Sequence, residues 1–476
     1  MTEVPIADPA AETKPESTSI NLLKVRDDRD PVTIVPAEGG KYKVSAGVAG
    51  SWADDAKDIT LRTLRERIEP WLTSLFQSEH LSLLIGSGLT HAVHYIAAGK
   101  AAPAGMSGHV SKGMFCELIL EAARKSAELA QRNEGNIEDE IRVVNELLRG
   151  FEIIGNKCNK WKKDVTSLSV ELMQALSGLA QSILESERGI GYAEESKRTK
   201  AFETLVAFLM SFASRTGTRD RLNIFTTNYD RLIEAGADMA GLHLLDRVVG
   251  NLTPIFRSSR LDLDMHYNPP GIRGEPRYLE GVARFTKLHG SVDWVQVNRD
   301  IRRIGVPFGA KSITPYLEVP GLTTTAASHL MIFPNAAKDR ETSMYPYVEL
   351  FRDLAAAVCR PNSTLVTYGF SFGDEHINRV VRDMLTIPST HLVVVSRDDS
   401  LGRIQAIMKE RKPQVSLLVG PQLADLVTLT ENFLPKAAID KATFRMAELL
   451  KQRLGTVSGQ TAGAKDDDNT NVGSNT

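Results

Sequence analysis

Leu81-Ser82-Leu83-Leu84-Ile85-Gly86-Ser87-Gly88 is the stretch that decides the fold. Residues 81–85 are apolar except for Ser82 and run straight into a G-x-G turn, so they read as a buried strand with a glycine turn at its C-terminal end. A strand and turn of this kind commonly open a nucleotide-binding α/β domain. Upstream, Leu61, Leu64, Ile68, Leu72 and Leu75 recur at spacings of three and four and predict a helix over residues 58–78. Before it lies an arm, residues 19–57, with strand-like Thr33-Ile34-Val35 and Tyr42-Lys43-Val44, preceded by a tail over 1–18 rich in Pro, Ala, Glu, Thr and Ser. Downstream, the period turns helical over residues 113–216, with helices expected near 113–132, 136–155, 165–187 and 198–215. Strand-like runs return at Leu222–Thr226, Arg284–Leu288, Thr364–Tyr368, His391–Val395 and Val415–Val419, the last two separated by a helical segment, Leu401–Glu410. The expected architecture is therefore α/β, a Rossmann-like parallel sheet built from residues 58–112 and 217–455 and interrupted by a helical insertion. Residues 250–283 and 300–345 read as long loops, and residues 456–476 as a second polar tail.

Composition narrows the function. Lys plus Arg number 57 against 59 Asp plus Glu, a net charge of -2, so nothing global draws the chain to nucleic acid and direct binding is not expected. Lys157, Lys160, Lys162 and Lys163 around Trp161 read as a solvated helix linker. The three cysteines, Cys116, Cys158 and Cys359, include no C-x-x-C pair, which excludes a zinc ribbon and a disulfide framework and fits a reducing cytoplasm. Without a signal-like start or a long apolar run, neither secretion nor a membrane span is expected.

Four segments lie at the C-terminal ends of expected strands, the edge where open parallel sheets bind ligands. They are Gly86-Ser87-Gly88, Thr226-Thr227-Asn228-Tyr229-Asp230, Leu288-His289-Gly290-Ser291 and Gly369-Phe370-Ser371-Phe372-Gly373-Asp374. Glycine turns let backbone N–H groups approach a pyrophosphate, and Ser87 and Ser371 add hydroxyl donors. Asn228 can hold a ribose hydroxyl or position a water, or else cap a helix starting near Tyr229. Asp230 faces the same choice in a first helical turn, and Asp374 reads mainly as a cap. His289, beside a glycine that gives a ligand room, carries an imidazole suited to proton abstraction at neutral pH. His91 and His94 fall in what reads as a loop after the first glycine turn.

Taken in order, these four motifs resemble the sirtuin family and its zinc-free relatives. Thr226-Thr227-Asn228-Tyr229-Asp230 is similar to the family's Asn-Ile-Asp stretch, Leu288-His289-Gly290-Ser291 to the segment bearing its general base, Gly86-Ser87-Gly88 to its first glycine motif, and Gly369-Phe370-Ser371 to its later Gly-Thr-Ser motif. The resemblance implies an NAD pocket with Asn228 and His289 as the catalytic pair. It places Gly86, Ser87, Gly88, Thr227, Asp230, Gly369, Ser371 and Ser396 against the dinucleotide. The chain departs from the protein deacetylases of that family: their four zinc cysteines are missing, so no metal is expected, and Leu89–Tyr95 stands where they carry a proline-containing arginine segment. The motif variants look instead like bacterial sirtuin-like proteins that destroy NAD during phage infection, most of all those paired with a HerA-type ATPase. The resemblance thus implies an NAD glycohydrolase acting as an antiviral effector, a homo-oligomer that joins that ATPase. The alternative is a subunit that senses NAD or ADP-ribose without turnover. Nicotinamide departs as a neutral molecule from a cationic precursor, so the glycosidic bond can open through an oxocarbenium-like state without an acid, and water is the default acceptor.

Overall fold

The computed structural model describes residues 20–45, 52, 58–103, 110–129, 135–155, 161–215, 219–259, 265–267, 277–298, 300–317, 330–332, 345–399 and 401–436. Both expected tails, as well as Lys157 and Lys160, lie outside the described residues. In chain order the strands are β1 (Asn21–Lys24), β2 (Val32–Ala37), β3 (Lys41–Val44), β4 (His80–Ile85), β5 (Asn223–Thr226), β6 (His243–Leu245), β7 (Val248–Val249), β8 (Ile255–Phe256), β9 (His266–Tyr267), β10 (Arg277–Tyr278), β11 (Val282–Lys287), β12 (Gly290–Val297), β13 (Asp300–Arg303), β14 (Leu330–Ile332), β15 (Ser363–Tyr368), β16 (His391–Ser396) and β17 (Val415–Val419).

Ten of them form one sheet in the order β3-β2-β1-β17-β16-β15-β4-β5-β11-β6. Every pairing from β17 across to β6 is parallel. Such strands are covered on both faces, which is why β5, β15 and β17 are buried along their whole length. From β4 the chain winds outward through β5 to β11, then returns to β15 and winds the other way through β16 to β17. The order reverses between β4 and β15, so their C-terminal ends flank the crevice where doubly wound sheets take a ligand.

Side-chain alternation along the strands splits the core by face. Leu83 and Ile85 of β4 pack with α1 (Leu61–Phe76), α2 (Ser87–Ala98) and α6 (Glu195–Ala213), whereas Leu84 faces helices Tyr347–Val358, Glu375–Leu385 and Arg403–Glu410. Between α2 and α6 stand α3 (Cys116–Leu129), α4 (Ile137–Gly155) and α5 (Lys162–Gly191). These three helices share their own apolar cluster, which includes Ile119, Ile141, Leu172 and Leu176 and extends onto Val292 and Val295 of β12. Trp161, in the basic run, packs against Phe115 and Phe151.

Four differences from the sequence expectations have physical causes. The helix α6, grouped with the insertion by its period, lays Leu205, Phe208, Leu209 and Phe212 on the main sheet. Residues 89–95 are not a loop but part of α2, whose Leu89, Val93 and Ala97 make a buried stripe ended by Gly99 at φ +67°. The stretches expected as long loops contribute to a second sheet, β14-β12-β13-β8-β7, whose β7 and β8 have only two residues each, too few to leave a periodic trace. The N-terminal arm is the antiparallel margin of the main sheet, with Leu22 paired to Val419 and Leu23 to Leu418.

Candidate active site

The turns after β4 and β15 interlock. The backbone N–H of Gly86 donates to Tyr368 O at 3.0 Å and that of Gly88 to Gly369 O at 3.1 Å. A Cβ on Gly86 would sit 2.4 Å from Gly369 O, and one on Gly88 would sit 2.5 Å from Gly369 Cα, while Gly369 itself has φ +60°. Only glycine fits at this crossing. Above it opens a cavity of about 620 Å³, a size suited to a small-molecule ligand. Of the ten residues that the sequence assigned to the site, Gly86, Ser87, Thr227, Asn228, Asp230, His289, Gly369 and Ser371 line this cavity. Gly88 lies behind the wall as a packing residue. Ser396 is also off the wall, its hydroxyl turned to Asp398 O at 2.9 Å.

Asn228, 8% exposed, is held by a network that fixes its orientation. Its Nδ2 donates to Gly86 O at 3.0 Å and to Thr90 Oγ1 at 3.1 Å. Because a carbonyl only accepts, the atom facing Gly86 must be the amide nitrogen. Asn228 Oδ1 is thereby left without a donor among the described residues. Thr90 Oγ1 in turn donates to Asp230 Oδ2 at 2.7 Å, and Asp230 Oδ1 accepts from Leu232 N at 3.1 Å. The helix that follows is α7 (Leu232–Ala240), beginning three residues after the expected start near Tyr229. Asp230 serves its N-terminus as well as the Asn228 network.

His289 Nε2 lies 2.8 Å from Asp374 Oδ2. Asp374 caps helix Glu375–Leu385, its Oδ1 accepting from His376 N at 2.9 Å. With the carboxylate accepting, Nε2 carries the hydrogen and Nδ1 keeps its lone pair. A carboxylate in this position orients an imidazole and fixes its tautomer. The sequence showed only the cap, because the pair joins residues far apart in the chain. Beside them the Tyr229 ring lies 6.4 Å from the His289 ring, tilted by 40°, and its hydroxyl donates to Glu138 Oε1 at 3.3 Å. Burial, then the Glu138 carboxylate, holds its phenol well above the ordinary range, so it stays protonated.

The insertion supplies the facing wall: Asn136, Glu138 and Asp139 at the start of α4, and Leu179, Ser182, Ile183 and Ser186 along α5. A buried ion pair fastens α5 to the loop between β5 and α7. Glu187 Oε1 accepts from Arg231 N at 2.8 Å and Nε at 3.0 Å, and Oε2 meets Nη2. Burial disfavours the guanidinium charge, but the Glu187 carboxylate more than offsets it and raises the Arg231 pKa. His91, on the cavity wall, is pushed below the usual imidazole range by burial and then by His94. Arg379 and Arg403 line the cavity together with Glu138, Asp139, Asp230, Asp374 and Glu375, and α2 begins at its edge with Ser87, where a helix N-terminus favours an anionic group. Among the described residues no three His, Cys, Asp or Glu side chains converge as a metal site, and no helix is long and apolar enough to cross a membrane.

Thr90, Tyr229, Glu187, Arg231 and Ser186 escaped the sequence reading. Thr90 and Ser186 lie on helices whose period reports the core, and a periodic pattern carries no mark for a hydroxyl that faces a cavity.

Residues 222–416 match the sequence model of a SIR2-like domain, a stretch that contains Asn228, His289, Gly369, Ser371 and Ser396 but starts after the first glycine turn. No curated protein matches the chain. The match supports a sirtuin-like family and, with the doubly wound sheet, a Rossmann-like sirtuin-type fold. Domains of this kind are commonly NAD-dependent enzymes.

Proposed function

We propose that the chain hydrolyses NAD to nicotinamide and ADP-ribose. The observation that carries this reading is a pair of residues on one cavity, Asn228 and His289, whose Oδ1 and Nδ1 have no partner among the described residues while hydrogen bonds occupy the other polar atoms of both side chains. The residues around them suit a dinucleotide. The N-terminus of α2 and the arginines Arg379 and Arg403 fit a pyrophosphate, and the glycine crossing at Gly86 and Gly369 admits it close to the backbone.

NAD brings its own leaving group, so the protein's work is to orient and to move one proton. Asn228 Oδ1 accepts from a ribose hydroxyl or from the attacking water and sets its direction. His289 Nδ1 takes the proton as the nucleophile attacks, a contribution of about 10²–10⁴ in rate. Asp374 steadies the imidazolium that results, and Thr90 with Asp230 keeps Asn228 from rotating. The wall of α5 shields the reacting end from bulk solvent.

The wider role proposed is that of an antiviral effector whose activity is gated by assembly, as a homo-oligomer and with a HerA-type ATPase, in the cytoplasm. It rests on the likeness of the Thr-Thr-Asn-Tyr-Asp and Gly-Phe-Ser-Phe-Gly-Asp variants to those of phage-responsive sirtuin-like proteins. An unrestrained NAD hydrolase would empty its own host of cofactor, so a gate is required. The enzymatic reading is tested by nicotinamide release from purified protein. His289→Ala and Asn228→Ala should each lower it by at least about 10² while leaving the far-UV circular dichroism unchanged. Full turnover by either variant would refute the assigned roles.

A further inference from the structure

Ser186 stands out on the helical wall of the cavity. It is 6% exposed, lines the cavity, and its hydroxyl has no hydrogen-bond partner among the described residues. Serine and threonine hydroxyls on helices often bond back to a carbonyl one turn earlier. This protein follows that habit elsewhere: Ser169 donates to Val165 O at 2.9 Å, Thr204 to Lys200 O at 2.7 Å and Ser211 to Ala207 O at 2.8 Å. Ser182, one turn before Ser186 on the same wall, donates to Leu179 O at 2.8 Å. Ser186 alone of these is left unsatisfied, in a place where an unmade hydrogen bond is expensive.

The backbone that carries Ser186 is held in place, so its hydroxyl can change partner only by rotating about the Cα–Cβ bond. The next residue, Glu187, is locked to Arg231, and Gly189 is pressed so closely on α2 that a Cβ there would lie 2.4 Å from His94 Nε2. The turn carrying Ser186 is therefore fixed against the loop that holds Asn228. Its neighbours on the cavity face of α5, at helical spacing, are Leu179 and Ile183. A flat apolar ring bearing one small polar group fits that stripe: the ring lies against the half-buried Ile183, and the polar group meets the hydroxyl as it rotates toward the cavity.

We propose that Ser186 recognises the carboxamide of nicotinamide, so that the insertion supplies the leaving-group pocket of the site. This rests on the NAD-cleavage reading. It also assigns a use to the insertion that the sequence did not suggest.

The test is calorimetric binding in the His289→Ala background, which keeps NAD intact. The ligands are NAD and the dinucleotide whose pyridinium ring lacks the carboxamide. Adding Ser186→Ala should weaken NAD binding about 10-fold, the size of one hydrogen bond, and leave the carboxamide-free dinucleotide unchanged. The ligand-free protein should melt no lower, because the substitution removes an unsatisfied buried group. Ser186→Cys, of nearly the same size, should show the same selective loss. Equal weakening of both ligands, or no weakening of NAD, would overturn the proposal. If wild-type protein releases no nicotinamide but the selective loss appears, hydrolysis fails and the contact stands; turnover without selective loss sinks the contact alone.

Discussion

At the residue scale, chemistry depends on pairs that hold each other in place. Asn228 and His289 were singled out in the sequence by their place at the ends of expected buried strands, beside a glycine or near a helix start, and both line the cavity. Their pairings were not legible, because Thr90 meets Asn228, and Asp374 meets His289, only once β4, β5, β11 and β15 lie side by side. Asp374→Asn tests the second pair. An asparagine still caps helix Glu375–Leu385, so stability should hold, but its amide cannot stabilise an imidazolium, and kcat should fall by about 10² with KM little changed. A proportional rise in KM instead would make Asp374 a ligand contact. Thr90→Val, matched in shape, removes the hydroxyl that joins Asn228 to Asp230. The fall in kcat should be about 10-fold, and the unfolding free energy should drop by about 1–2 kcal/mol.

Among the elements, the long parallel strands were readable because burial on both faces leaves an apolar run that nothing else explains. Two-residue strands such as β7 and β8 have no such run, and α2 was obscured because two histidines, His91 and His94, interrupt its apolar pattern. The β4 and β15 turns fit so tightly that Gly88→Ala, which places a methyl 2.5 Å from Gly369 Cα, should cost about 3 kcal/mol by chemical denaturation. A neutral result would show that the two turns can separate. On β16, His391 sits between Trp71 and Ser416, its Nε2 2.8 Å from Ser416 Oγ. Burial, then Lys24, pushes its pKa from 6.5 down to about 4. The folded ring stays neutral where the unfolded one takes up a proton. Stability is therefore full above pH 6.5 and falls as the pH drops from there to about 4, by about 3 kcal/mol in all. His391→Asn should flatten that part of the stability profile; an unchanged slope would place the loss in other groups.

At the scale of the molecule, the order of the sheet strands makes one crevice, and the insertion roofs it. The β-α rhythm announced the sheet, yet the roof was invisible: a helical period shows which face is buried, not what it is buried against. The N-terminal arm is likewise part of the body. Asn21, fully buried, accepts from Gln422 N at 3.1 Å, so deleting residues 1–55 should lower the melting temperature as well as any tendency to assemble. Light scattering of the intact chain, alone and with a HerA-type ATPase, should report a species larger than the monomer; a strict monomer in both would refute gating by assembly. The central claim is hydrolysis, and the most direct measurement of it follows both products of NAD by NMR, with intact chain, water as solvent and no peptide acceptor. The account predicts nicotinamide and ADP-ribose in equal amounts, formed by wild-type protein and suppressed by at least about 10² in His289→Ala. NAD that stays intact under all assembly conditions, or nicotinamide formed without ADP-ribose, would contradict it.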